Sequence, residues 1–78
     1  MKVNFDHKKF RDTRQKKHIS QLKLAELSGT TDRYIRKIEK GKSVNPSAII
    51  LYRICMVFGL HVEDFMMLVS EDEDDDLG

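Results

Sequence analysis

Between Phe10 and Phe65 apolar residues recur at helical spacing, and a few turn formers cut the pattern into five predicted helices. Asp6 is placed to cap the first, which runs to about Lys17, with Phe5 before the cap and Phe10 inside it at hydrophobic-staple spacing. Phe10 and Thr13 are its inward candidates. His18 is expected to leave the helix in the left-handed region, a position that Gly or Asn occupies more easily. Ser20 caps a second helix, Gln21–Ser28, with Leu24, Ala25 and Leu27 facing inward and Gly29 as its stop. The Asn45-Pro46 pair opens a fourth helix, Pro46–Phe58, with Asn45 as cap, an inward stripe of Ala48, Leu51, Tyr52, Cys55 and Phe58, Ile54 beside it, and Gly59 at its end. A last helix is expected at about Val62–Val69, carrying Val62, Phe65, Met66 and Val69.

The third helix organises the rest. Thr31 caps it, Gly41 ends it, and Lys42–Asn45 forms the loop that follows. At about 100° per residue, Asp32, Arg33, Arg36, Lys37 and Lys40 fall on one arc, with Ile35 and Ile38 opposite and Tyr34 and Glu39 at the borders. Two buried isoleucines are a small anchor, so this helix must be docked on a scaffold. Its second and third helices, joined by a short turn with glycine, have the spacing of a helix-turn-helix. The exposed arc carries long cationic side chains that reach phosphates and base edges in a major groove, although a charged face is also ordinary for a solvated helix.

Charge placement favours the first of these readings. The 78 residues carry a net charge of +1, but residues 1–42 hold 13 of the 14 Lys and Arg against five acids. Residues 61–78 hold eight acids and no Lys or Arg. A basic front half points to an anionic partner. Residues 1–5 read as a partly ordered lead-in, residues 6–70 as the folded domain, and residues 71–78, which begin EDEDDD, as an acidic disordered tail. That tail is expected to solubilise the protein or to fold back on the basic face in competition with phosphates.

Other chemistry is poorly supplied. The sequence has no Gly-rich phosphate loop, no His/Cys metal cluster and no nucleophile–base constellation, so neither an enzyme nor a bound cofactor or metal is expected. The longest apolar runs are five residues, too short for a membrane span, and the start has no apolar leader segment. The single cysteine, Cys55, fits a reducing, cytoplasmic setting and is read as a buried small hydrophobe.

The string Arg14, Ser20-Gln21, Leu24-Ala25, Gly29, Thr31, Ile35, Ile38-Glu39, Gly41-Lys42, Pro46, Leu51, Ile54, Phe58-Gly59 and Phe65 resembles the Cro/CI-type, XRE-like helix-turn-helix family of DNA-binding proteins. The resemblance covers residues 10–66 and implies an all-α, compact five-helix, lambda-repressor-like domain whose third helix enters the major groove. It implies DNA contacts from Gln21, Thr31, Asp32, Arg33, Arg36 and Lys37, and an ion pair between Arg14 and Glu39 that fixes the third helix. Side-chain chemistry suits Arg33 or Arg36 to guanine, Asp32 to a cytosine amino group, and Gln21 to adenine or a phosphate. Thr31, Tyr34, Lys40 and Lys42 suit the DNA backbone, with packing an equal alternative for Tyr34.

Two positions depart from the family: Thr30 stands where a buried aliphatic is usual, and His18 replaces a common glycine. A third departure bears on partners. Ile49, Ile50, Met56 and Val57 fall on the outer face of the fourth helix, where only Arg53 is polar. With Met66, Met67 and Val69, this face is expected to form a homodimer contact, to bind a protein partner such as a toxin, or simply to be buried under the chain termini. The function implied is sequence-specific transcriptional regulation, most simply repression through operator occupancy by a dimer, of bacterial, phage or mobile-element origin. The alternative is an antitoxin-like or other protein-interaction module that uses the apolar outer face.

Overall fold

The computed structural model describes residues 2–41 and 46–69, which fold as four α-helices closed by a two-stranded sheet. The order is β1 (Lys2–Phe5), α1 (His7–Lys16), α2 (Gln21–Ser28), α3 (Asp32–Glu39), α4 (Ala48–Phe58), a 3-10 turn (Val62–Phe65) and β2 (Met66–Val69). The Lys42–Asn45 loop, the expected Asn45 cap and the acidic tail 71–78 lie outside the described residues.

Helix starts are written in side-chain oxygens. Asp6 accepts from the Lys9 N–H at 3.0 Å, Ser20 from Lys23 at 3.0 Å and Thr31 from Tyr34 at 3.2 Å. Each satisfies a backbone donor that the first helical turn leaves without a partner. The ends of α1 and α2 share one geometry. After α2, Gly29 takes φ 74° and the Thr30 N–H reaches back to the Ala25 carbonyl at 2.9 Å. After α1, His18 takes φ 57° and the Ile19 N–H reaches back to the Arg14 carbonyl at 3.3 Å. Both are left-handed caps, the second formed by a residue with a Cβ.

The expectation of an all-α, five-helix domain is corrected at both chain ends. Residues 2–5 are a strand, not a lead-in, and the expected helix Val62–Val69 is one 3-10 turn followed by a second strand. The strands pair antiparallel with Lys2 opposite Val69, Val3 opposite Leu68, Asn4 opposite Met67 and Phe5 opposite Met66. An eight-residue helix is marginal by itself, whereas extended Met66–Val69 finds backbone partners on β1. The Asp6 N–H donates to the Phe65 carbonyl at 2.6 Å, tying the turn to the start of α1.

The fourth helix begins at Ala48, two residues later than expected, with Ser47 as its cap. It buries Leu51, Ile54, Cys55 and Phe58. Ala48 and Tyr52, expected inside, are exposed: Ala48 lies in the first, uncovered turn, and Tyr52 lies about 100° round the helix from Leu51. Conversely Ile50 and Val57, expected outside, are half-buried against the core. Leu27, expected inside, is also exposed, because Leu24, Ala25 and Ser28 fill the inner face of α2.

The core has two kinds of wall. All four phenylalanines, Phe5, Phe10, Phe58 and Phe65, meet with ring centroids 5.7–6.2 Å apart, in tilted and edge-on pairs. This cluster joins β1, α1, α4 and the 3-10 turn. Leu24, Ala25, Ile35, Ile38 and Ile54 form the aliphatic wall that α2 and α3 rest on. Cys55 is buried in the same core, and its thiol is held above the usual range by burial and then by the Asp64 and Glu63 carboxylates. No helix of the described residues is long and apolar enough to cross a membrane.

Candidate nucleic-acid interface

Helix α3 is eight residues long and is held from three sides. Ile35 and Ile38, both fully buried, anchor its inner face. The Tyr34 hydroxyl accepts from the Ser47 N–H at 2.7 Å, fastening the helix to the start of α4. The third hold is ionic. Arg14 donates from Nε to Glu39 Oε2 at 2.6 Å and from Nη2 to Glu39 Oε1 at 3.1 Å. A third donor, Arg14 Nη1, reaches the Ile19 carbonyl at 2.8 Å, and Gln21 Nε2 reaches Glu39 Oε1 at 3.1 Å.

The buried Arg14–Glu39 pair thus joins α1, the α1–α2 turn, the first residue of α2 and the last residue of α3. Side-chain exposure is 11% for Arg14 and 5% for Glu39. A pair so enclosed is costly to desolvate, and it is sustained here because both oxygens and the guanidinium edge are hydrogen-bonded. The network also neutralises the only acid on the inner border of α3, leaving the outer charge of the helix unopposed from below.

The outer face is cationic. Arg33, Arg36, Lys37 and Lys40 line one shallow surface, and Thr31, Arg33, Tyr34 and Lys37 line its neighbour. Arg33 and Lys37 belong to both, so Thr31 to Lys40 presents one continuous surface. Asp32 is its single carboxylate, and Arg36 Nη1 donates to Asp32 Oδ2 at 2.6 Å across one helical turn. That guanidinium hydrogen bond holds the Asp32 carboxyl below the usual carboxylate range. Thr31 uses its oxygen as the helix cap and keeps its hydroxyl proton. Tyr34 likewise keeps its hydroxyl proton while accepting from Ser47. Gln21 spends one amide N–H on Glu39, leaving the other N–H and its carbonyl oxygen.

The structure therefore brings together Gln21, Thr31, Asp32, Arg33, Tyr34, Arg36, Lys37 and Lys40 on or beside α3, while Lys42 lies outside the described residues. The apolar set named from the sequence divides. Ile49, Met56 and Met67 are exposed, whereas Ile50, Val57 and Met66 are half-buried against the core. The exposed stripe on α4 is Ile49, Tyr52 and Met56, with exposures of 65%, 59% and 66%.

Three supporting residues escape a reading by motif. Ser47, besides capping α4, supplies the N–H that Tyr34 holds; a serine three residues before Ile50 was the available signal. Arg53 folds over the end of α2, with Nη1 2.9 Å from where a Cβ on Gly29 would stand. The His7 ring lies 3.0–3.2 Å from the corresponding point on Gly41. Neither of these last two contacts has a local sequence signal.

Residues 10–65 match a helix-turn-helix family model. An uncharacterized HTH-type transcriptional regulator, YgzD of Bacillus subtilis (strain 168), is 36% identical over 63 residues, which is 81% of this chain and 94% of that protein. No solved structure is significantly similar. The turn between α2 and α3, the buried Arg14–Glu39 tie and the cationic outer arc stand within the matched span, and the chain belongs to the Cro/CI-type (XRE-like) helix-turn-helix family of DNA-binding proteins.

Proposed function

We propose that this protein is a sequence-specific transcriptional regulator that inserts α3 into the major groove and represses by occupying an operator. The observation that carries the reading is the anchored cationic face: four exposed Lys and Arg side chains on a helix fixed by the Arg14–Glu39–Gln21 network and the Tyr34–Ser47 bond. Affinity comes from phosphates and specificity from base edges. Arg33 and Arg36 supply groups for bases, Arg36 with the Asp32 carboxylate bonded to it; Thr31, Tyr34, Lys37, Lys40 and Lys42 supply donors for the backbone; Gln21 bridges the two roles at the start of α2.

The reading includes a homodimer. Ile49, Tyr52 and Met56 make an apolar stripe, and Arg53 turns aside onto Gly29, so the stripe offers little charge to a partner. A surface that is its own best complement suits a second copy across a two-fold axis. Two copies would address half-sites about one helical turn, ~34–36 Å, apart. An Ile49→Glu, Met56→Glu protein that stays folded should sediment as a monomer and lose operator affinity. Unchanged sedimentation would count against the stripe as the contact.

The test of the whole reading is selection of bound sequences from a random duplex pool, with an Arg33→Ala, Arg36→Ala protein as control. Enrichment of a palindrome by the wild type and not by the control is the expected result. Binding that is weak, salt-sensitive and blind to sequence would overturn it and favour a module whose apolar stripe binds another protein.

A further inference from the structure

We propose that Asp32 and Arg36 act as one reading unit, in which Asp32 positions the Arg36 guanidinium for a guanine and does not read a base of its own. The inference rests on the DNA-binding reading above and adds a division of labour within α3.

The geometry is local and specific. Asp32 stands in the first turn of α3 and Arg36 one turn later, on the same side of the helix, with Nη1 and Oδ2 2.6 Å apart. Both side chains are about half exposed, at 41% and 47%, so the pair forms at the surface that would face the groove. An arginine has five N–H donors in a fixed fork. With one Nη1 proton on Asp32, the Nε and Nη2 donors remain for an acceptor pair such as guanine O6 and N7. Arg33, the other candidate for guanine, has no hydrogen-bonded holder among the described residues, and its fork must be ordered on binding. The ordinary attraction of a carboxylate to a helix N-terminus also keeps Asp32 in place.

The sign of the charge makes the role separable from simple affinity. A carboxylate on a surface that meets phosphates weakens binding to any duplex. Removing Asp32 should therefore strengthen sequence-blind binding and weaken base preference at one position. A change that merely loosened the fold would weaken both. Thr31, not Asp32, accepts the capping hydrogen bond from the Tyr34 N–H, so the substitution keeps that cap.

The experiment uses the full chain and the duplex selected by the wild type. Base preference at every position of the half-site is measured for wild type, Asp32→Ala, Asp32→Asn, Arg36→Ala and the Asp32→Ala, Arg36→Ala double variant, alongside affinity for random duplex. Arg36→Ala identifies the base pair that arginine reads. At that pair, Asp32→Ala should cut the preference for guanine by about fivefold or more, a part of what a good two-pronged contact supplies. Asp32→Asn, which keeps an acceptor without the charge, should fall between, and it carries the test if Asp32→Ala fails to fold. In the Arg36→Ala background, Asp32→Ala should change base preference no further.

Unaltered preference in both Asp32 variants overturns the proposal, as does a loss at a different base pair, which would make Asp32 a reader in its own right. Both results leave the regulator reading standing. A wild type that selects no sequence at all overturns that reading and this inference with it.

Discussion

Two arginine–carboxylate pairs in this small domain have the same closest approach and opposite surroundings. Arg14–Glu39 and Arg36–Asp32 both close to 2.6 Å, but the first is 11% and 5% exposed and the second 47% and 41%. Distance alone would rank them equal. Burial separates them, because water screens and competes with the outer pair while the inner one has only its own partners. The inner pair holds α3 at a fixed angle on α1 and α2. The outer pair stands on the surface that α3 presents. One chemical motif thus serves as a tie in the dry setting and as an adjustable tool in the wet one.

The comparison predicts its largest effect at Arg14. Arg14→Ala strands the Glu39 carboxylate in a buried site and should cost about 3–5 kcal/mol in urea unfolding, a large share of the ~5–15 kcal/mol typical of a domain. Replacing both partners, as in Arg14→Met with Glu39→Leu, should recover most of that loss, since an apolar pair removes the stranded charge. DNA binding should not recover as fully, because Gln21 loses its hold as well. A double variant as unstable as Arg14→Ala would show that the charge is not what the site punishes.

A middle case is Tyr34→Phe, which removes only the hydroxyl that receives the Ser47 N–H. The bond is at the surface, so water can replace it, and the expected loss is about 0.5–1 kcal/mol. Operator affinity should drop further than stability does, because both the tether to α4 and a donor to phosphate disappear. Equal affinity for Tyr34→Phe and wild type would make Tyr34 a packing residue only.

Much of the first region was legible in the sequence, and physical reasons explain where legibility stops. Caps announce themselves locally: Asp6, Ser20 and Thr31 stand before helical runs, and Gly29 and Gly59 follow them. The wheel of α3 needs only its own residues, since five polar side chains and two isoleucines leave one possible orientation. Helix α4 is harder. Apolar residues cover nearly all its circumference, so the side facing the core depends on neighbours far off in sequence, and Tyr52 and Ile50 exchange their expected places. The β1–β2 ribbon is harder still. Met66–Val69 carries no alternation, and its conformation depends on Lys2–Phe5 at the other end of the chain. Only the Val3 and Phe5 alternation hinted at a strand. The candidate interface was readable because local periodicity placed it, whereas the stripe Ile49, Tyr52 and Met56 required the packed structure.

The smallest expected effect sharpens the comparison through pH and salt. Arg36 holds the Asp32 carboxyl below its ordinary value, so the unfolded chain takes up that proton first on acidification. The stabilisation from Asp32 is therefore complete above the unfolded value, near pH 4, and is lost as the pH falls through the lower folded value. Melting temperatures of wild type and Asp32→Asn should differ slightly and steadily from about pH 5 to 7 and converge once the pH has fallen through the lowered folded value. Because both side chains are wet, about 0.5 M salt should shrink that difference at neutral pH, while leaving the larger effect of Arg14→Ala nearly intact. A difference that survives both acid and salt would mean that Asp32 acts through the helix backbone and not through Arg36. Salt that erased the Arg14 effect too would mean that water reaches the inner pair, and the two pairs would then differ in position without differing in kind.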